Sequence, residues 1–293
     1  MARFQGSITA LITPFKNGAV DEQGFQRFVE WQIDEGINGL VPVGTTGESP
    51  TLSHDEHKRV VELCVEAARG RVPVIAGTGS NSTDEAVDLT KHTEKAGVDA
   101  ALVVLPYYNK PTPEGQYQHF KAIHDATDIP IVIYNIPPRC IIDMSVATMA
   151  RLAKLPRIVG MKDATADLVR PIRTKLAIDK EFIMLSGEDG TALPFLAQGG
   201  VGCISVTSNV APRLTAEMHK AWAEGDLKHA MKINERLMPV NDALFCETSP
   251  GPVKYAASLL GRASDELRLP LAPISDASRQ KVRAALTKAG LLN

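Results

Sequence analysis

The chain has 293 residues, 44% hydrophobic and 23% charged, a composition that fits a folded globular protein and excludes a disordered, collagenous or coiled-coil one. Thirty-two basic residues against 34 acidic ones leave a net charge of -2, which gives no broad basic footprint for nucleic acid or an anionic membrane; small molecules and other subunits are the expected partners. The longest apolar stretches, at 100–106 and 129–133, fall far short of the ~18 residues of a membrane span, and the start Met1-Ala2-Arg3 leads into no signal-peptide core, so a cytoplasmic protein is expected. Cys64, Cys140, Cys203 and Cys246 are scattered without a C-x-x-C pair, so neither a disulfide framework nor a zinc site is expected.

Eight short apolar, β-branched runs follow in order at 7–13, 39–43, 72–77, 100–106, 130–135, 157–162, 182–187 and 202–207, each followed by helical spacing. Local chemistry marks the helices. Asp21 precedes an acidic first turn, Ser53-x-x-Glu56 and Ser82-x-x-Glu85 read as capping boxes, and Thr112-Pro113 reads as cap plus first-turn proline. Gly36, Gly70 and Gly97 read as C-terminal caps. The runs are continuous rather than alternating, as in parallel strands covered on both faces. Eight strand–helix units predict a (β/α)8 TIM barrel. An open doubly wound sheet is the alternative, but the turn after the first run, Thr13-Pro14-Phe15-Lys16-Asn17-Gly18, is no glycine-rich dinucleotide loop. Beyond about residue 211 only helices are predicted, at 212–224, 226–245, 250–261 and 276–290, so the expected division is a catalytic barrel over 1–224 and a small C-terminal helical appendage over 225–293.

A barrel of this kind carries its chemistry at the C-terminal ends of its strands. Lys162 ends the sixth run, Ile158-Val159-Gly160-Met161-Lys162. A free lysine titrates near ~10.4, leaving about one amine in 2500 neutral at pH 7; burial would bring the value to roughly 7–8 and make a nucleophile for Schiff-base formation with a ketone. The same position also suits a lysine that snorkels outward or pairs with Asp163. Tyr134 ends the fifth run and Tyr108 follows the fourth, and imine formation needs protons shuttled to a departing water, which hydroxyls can do. Gly44-Thr45-Thr46-Gly47 adds two hydroxyls and a turn whose N–H groups could hold a carboxylate, or is a plain strand-to-helix turn.

The Gly44-Thr45-Thr46-Gly47-Glu48 turn, Tyr107-Tyr108-Asn109, Tyr134-Asn135-Ile136-Pro137, Gly160-Met161-Lys162-Asp163-Ala164-Thr165 and Gly202-Cys203-Ile204-Ser205-Val206-Thr207, with Leu267-Arg268-Leu269-Pro270 near the C-terminus, make the whole chain resemble the dihydrodipicolinate synthases. These belong to the pyruvate-dependent class I aldolases that include N-acetylneuraminate lyase. The resemblance implies condensation of pyruvate with L-aspartate 4-semialdehyde, without a metal or external cofactor, in a homotetramer. It implies that Lys162 forms the pyruvate Schiff base, that Tyr134, Thr45 and Tyr108 relay protons, and that Tyr108 comes from a neighbouring subunit. Thr46 and the Ile204 carbonyl would lie against pyruvate, Gly187 would shape the pocket, and Arg139 would bind the carboxylate of the semialdehyde. The synthase pattern continues with threonine and glycine after this arginine, where the chain has Cys140 and Ile141, a stiffer backbone.

The resemblance also implies a feedback site for L-lysine at Ser49, His54, His57, Asn81, Glu85 and Tyr107, with Glu85 as partner for the ammonium. Helix capping accounts for Glu85 equally well, and Pro50 stands where a small residue is usual. His54-x-x-His57 and the pair His119 and His124 lack the further ligands of a metal site. Three other functions compete. A lyase of the same barrel acting on a sugar acid or sialic acid would differ at Arg139; a phosphosugar-binding barrel would use Gly187, Gly190, Gly199 and Gly200; a binding protein on a dead barrel would leave the lysine and tyrosines without a task.

Overall fold

The apolar runs become strands because their side chains alternate between two buried surfaces. In the computed structural model, which describes residues 4–292, the strands are β1 (Gly6–Ala10), β2 (Gly39–Val41), β3 (Ile75–Gly77), β4 (Ala100–Val104), β5 (Ile131–Asn135), β6 (Ile158–Asp163), β7 (Ile183–Ser186) and β8 (Gly202–Ser205). They form one parallel sheet in the order β2-β1-β8-β7-β6-β5-β4-β3, and a parallel bridge between Leu40 and Val74 joins its two edges into a barrel. One set of alternating residues, including Ile8, Val41, Ile75, Leu102, Val132, Tyr134, Leu185 and Ile204, packs together inside the barrel. The other set, including Leu40, Ala101, Val103, Ile131, Ile133, Met161 and Met184, packs under the helices. Each run is buried on both faces, which explains its continuous apolar pattern.

The surrounding helices are α1 (Glu22–Asp34), α2 (His54–Ala68), α3 (Thr83–Lys95), α4 (Pro113–Ala126), the single turn α5 (Pro137–Cys140), α6 (Val146–Ala153), α7 (Arg170–Ala177), α8 (Ala192–Ala197) and α9 (Pro212–Ala223). Asp21 accepts from the Gly24 N–H, Ser53 and Glu56 complete a reciprocal capping box, and Thr112 caps α4. Gly36, Gly70 and Gly97 all take positive φ. Ser82-x-x-Glu85 is not a capping box, because the Ser82 side chain caps nothing and Glu85 turns away to Ser80 and His54. Most strands are shorter than the apolar runs, and in the first, second, fourth, seventh and eighth runs the last residues already belong to the rim loops. The turn after β1 opens into a two-stranded hairpin, Phe15–Lys16 against Ala19–Val20.

Three more helices complete the chain: α10 (Leu227–Leu244), α11 (Gly251–Leu259) and α12 (Asp276–Lys288). α9 and α10 share a cluster of Met218, Ala221, Ala230, Ile233 and Leu237. α11 is buried through Val253, Ala256 and Ala257, which merge with the main core. Among the described residues no helix is long and apolar enough to cross a membrane.

Candidate active site

Strand register brings Lys162 and Tyr134 together. They are direct partners across β5 and β6, on the inward-facing side, and the Lys162 Nζ lies 4.2 Å from the centre of the Tyr134 ring. Both residues are 5% exposed, which is deep enough to keep the ammonium poorly solvated and shallow enough for a small molecule to reach it. Asp163, the neighbour that could have neutralised the amine, lies on the opposite side of the strand. It accepts the Thr165 N–H at 2.8 Å and faces the Arg170 Nε at 3.7 Å, and burial pushes its carboxyl up. Room for the lysine comes from Gly187, just after β7. A Cβ there would sit 2.8 Å from the Ala164 Cβ and 3.0 Å from the Lys162 Cε, so only glycine leaves the side chain where it is.

The β7 and β8 ends close the floor. Asp189 accepts from the Ser205 hydroxyl at 2.5 Å and from the N–H groups of Val206 at 2.8 Å and Thr207 at 3.2 Å, fixing the loop that follows Ile204. Burial raises the carboxyls of Asp189 and Glu188, while the charge of Lys162 pulls both the other way. The glycines near the last two strands do not converge: Gly187 and Gly190 follow β7, whereas Gly199 and Gly200 precede β8 at the other end of the barrel, so no four-glycine phosphate cradle forms.

The β2 end folds as a tight turn. Gly47 N–H donates to the Gly44 carbonyl at 3.1 Å, Glu48 N–H to the Thr45 carbonyl at 3.2 Å, and the Thr13 hydroxyl to the Gly47 carbonyl at 2.7 Å. Thr46 is buried beneath it, while Thr45 faces a cavity of about 210 Å³ lined also by Ser49, Pro50, Tyr107, Tyr134, Arg139 and Cys140. A larger groove of about 750 Å³, lined by Gln5, Asn38, Val201 and Arg213, opens at the N-terminal ends of the strands and holds none of these groups.

Arg139 reaches the cavity from the α5 turn, where its Nη2 donates to the Ser249 carbonyl at 3.1 Å. Cys140 donates its thiol to the Leu105 carbonyl at 3.3 Å, and burial pushes the thiol up to about 11, so it stays protonated. Ile141 has φ of 67°, a left-handed conformation unfavourable for a β-branched side chain, at the place where glycine would be expected. The backbone still makes the turn, and Arg139 stays on the cavity wall.

Adjacent tyrosines go separate ways. Tyr107 lines the cavity and burial pushes its phenol up, whereas Tyr108 has φ of 71° and is 88% exposed, away from Lys162 of its own chain. Of the second residue set, Ser49 and Tyr107 lie on the same cavity as Thr45 and Arg139. Glu85 pairs with His54 at 2.5 Å and accepts the Ser80 hydroxyl, whose bond is the first cause of its lowered pKa. Burial drives the His57 imidazole down to about 4, so it is neutral at pH 7. Asn81 offers its carbonyl to the Asn109 side chain at 2.7 Å.

Sequence reasoning missed Lys254 and Ser249. Lys254 Nζ meets the Glu48 Oε1 at 2.6 Å with both side chains wholly out of solvent. A signal was available, because Lys254 is the only charged residue from Pro250 to Gly261.

Residues 3–289 match the model of the dihydrodipicolinate synthetase family. The 4-hydroxy-tetrahydrodipicolinate synthase of Rhodospirillum centenum is 69% identical over 289 residues, 99% of each chain. The chloride-inhibited dihydrodipicolinate synthase of Acinetobacter baumannii, solved in complex with pyruvate, is 45% identical with a TM-score of 0.96 over 98% of this chain and 99% of that one. The enzyme of Cyanidioschyzon merolae, solved with lysine bound, is 38% identical with a TM-score of 0.96 over the full length of both. With its strand-end lysine, hydroxyl turn and cavity arginine on one barrel rim, the chain belongs to the dihydrodipicolinate synthetase family.

Proposed function

We propose that the protein condenses pyruvate with L-aspartate 4-semialdehyde to 4-hydroxy-tetrahydrodipicolinate, the committed step of lysine and diaminopimelate biosynthesis. The observation that carries this reading is the buried Lys162 amine, paired with no carboxylate among the described residues and lying over Tyr134, which walls a cavity together with Thr45 and Arg139. The amine attacks the ketone carbon of pyruvate, and loss of water leaves an imine on Lys162 that serves as the electron sink, so no external cofactor is required. Tyr134 and Thr45 deliver and remove the protons of that dehydration and of enamine formation at the methyl carbon. Thr46, Gly187 and the Ile204 carbonyl border the pyruvate moiety. The enamine carbon then attacks the aldehyde, whose own amine closes the ring and releases Lys162.

In this reading Tyr108 completes the relay in a neighbouring subunit of a homotetramer. An aromatic ring 88% exposed on a left-handed residue supports a role outside its own chain. The barrel over 1–224 carries the chemistry, the helices over 225–293 brace it, and the working place is the cytoplasm.

Arg139 selects the second substrate by its carboxylate. Arg139→Ala is expected to raise KM for aspartate semialdehyde roughly 10- to 150-fold, the equivalent of the ~1.5–3 kcal/mol of a charge-assisted contact, and to leave KM for pyruvate nearly unchanged. Steady-state kinetics with each substrate varied in turn checks this; equal effects on both would mean that the arginine only supports its loop, and cleavage of N-acetylneuraminate by the wild type would favour the sialic-acid lyase.

L-Lysine inhibits through Ser49, His54, His57, Asn81, Glu85 and Tyr107. The shared cavity supports this, since Ser49 and Tyr107 touch the space that Thr45 and Arg139 line, and Glu85 is freed from capping and held ionised. Millimolar lysine is expected to inhibit the wild type and to lose potency about 5- to 150-fold against Glu85→Ala, the range of a 1–3 kcal/mol coupling. A wild type indifferent to lysine removes the regulatory reading and leaves the catalytic one standing.

A further inference from the structure

Glu48 closes the hydroxyl turn, and its geometry is unusual in three respects. Its backbone is left-handed, with φ of 57°, in a residue that is not glycine. Its side chain is wholly buried yet ionisable, and both carboxylate oxygens are taken by the C-terminal part of the chain: Oε1 by the Lys254 ammonium at 2.6 Å, Oε2 by the Arg268 N–H at 3.2 Å. Its N–H donates to the carbonyl of Thr45, so a shift of Glu48 passes to Thr45 through one hydrogen bond. Lys254 is held in turn over the Phe15 ring, 4.1 Å from its centre, and Phe15 is itself fully buried beside the turn. Five residues earlier in the same segment, the Ser249 carbonyl accepts from Arg139.

A buried ion pair seldom adds net stability over an apolar pair of the same shape, and left-handed backbone at a residue with a side chain is a cost. Stability alone therefore gives no reason for a lysine in the otherwise uncharged α11. A fixed point does. An ammonium and a carboxylate locked together out of water admit one geometry, where two methylene chains would admit several.

We propose that Lys254 is a positioning residue for the reaction: acting through Glu48, it holds the Thr45 hydroxyl at the distance from Tyr134 and Lys162 that proton transfer requires. The inference rests on the reading of Thr45 as a relay hydroxyl. It makes the C-terminal helices part of the active site, since one segment sets both the hydroxyl turn and, through Ser249, the arginine.

The test is the pair Glu48→Gln/Lys254→Met in the full-length protein, which removes both charges and keeps their length and shape. kcat is expected to fall about 10-fold or more, short of the roughly 10²–10⁴ of an acid–base group removed outright because the hydroxyl is displaced and not deleted, with KM for pyruvate within about threefold and borohydride trapping of pyruvate on Lys162 still complete at equilibrium. Combined with Thr45→Val, the pair should cost nothing further, because both changes disable the same hydroxyl. An unchanged kcat, or full additivity with Thr45→Val, overturns the assignment. If the pair does not fold, Glu48→Gln alone keeps the side-chain length and one acceptor oxygen, for Lys254, while its NH2 faces the Arg268 N–H without bonding it; it is expected to lose about threefold in kcat with the same non-additivity, and a normal kcat there overturns the assignment equally. Failure of the wild type to trap pyruvate on Lys162 would overturn the underlying reading and this inference with it, whereas normal trapping with an unchanged kcat sinks the inference alone.

Discussion

Lys162→Ala lowers kcat on the order of 10⁴-fold or more and abolishes the borohydride-stable adduct with pyruvate, because it removes the group that forms the covalent intermediate. In the wild type the added mass maps to the Met161-Lys162-Asp163 peptide. The structure narrows the choice of lysine on geometric grounds. Lys162 is buried on a barrel rim, its amine in no ion pair among the described residues, and Gly187 clears the space its chain occupies. The informative competitor is Lys254, also buried, but its ammonium is locked to Glu48 at 2.6 Å and lies 4.1 Å from the centre of the Phe15 ring, whereas the Lys162 amine lies over Tyr134, a residue of the cavity wall. Burial lowers the Lys254 pKa and the Glu48 charge raises it, so charge neutralisation by a partner sets it apart from an amine awaiting a ketone. An adduct on Lys254, or one that survives in Lys162→Ala, would refute the assignment. Unfolding midpoints of the two proteins measure the structural share of the effect separately.

The barrel was legible because burial on both faces of a strand writes itself as an uninterrupted apolar run, and the helices because Ser53, Thr112 and the closing glycines have a local physical cause. Parity along β6 was not legible, since a continuous apolar run does not say which side faces in; the register with β5 places Lys162 beside the inward Tyr134 and Met161 packs under the helices. Nor could contacts made across long stretches of chain be read. Glu85 could cap through Ser82 three residues away but instead accepts the Ser80 hydroxyl and pairs with His54 thirty-one residues away, a contact that only the packing of α2 against α3 makes. Lys254 reaches Glu48 across 206 residues, so neither motif names the other. The two tyrosines were equivalent in sequence, and the left-handed backbone at Tyr108 turns one of them out and leaves the other on the cavity. Ile141 shows the reverse limit, since a side chain unsuited to positive φ is carried there by its neighbours, and propensity alone would have moved the turn.

Tyr134→Phe and Tyr108→Phe should each lower kcat about 10²-fold or more while leaving the fold intact, as expected for the loss of one acid–base hydroxyl. For Tyr134 the substitution keeps the ring on which the Lys162 ammonium rests and deletes only the oxygen, so the lysine stays in place and the proton path is what changes. For Tyr108 the argument depends on where the hydroxyl works. Within its own chain the ring is 88% exposed and removed from the cavity, so an effect on kcat requires a second chain to receive it. Mixing dissociated Tyr108→Phe and Lys162→Ala subunits and reassembling them tests this directly. In a hybrid pair, the first subunit supplies an intact Lys162 and the second an intact Tyr108, which restores one site of the two; random pairing at equal amounts should therefore return about a quarter of wild-type activity from two nearly inactive parents. Each parent carried alone through the same dissociation and reassembly is the control. Recovery near that fraction places the third hydroxyl of the relay across a subunit interface. A mixture as inactive as its parents would confine the relay to one chain, and the hydroxyl to examine next would be that of Tyr107, which already faces the cavity.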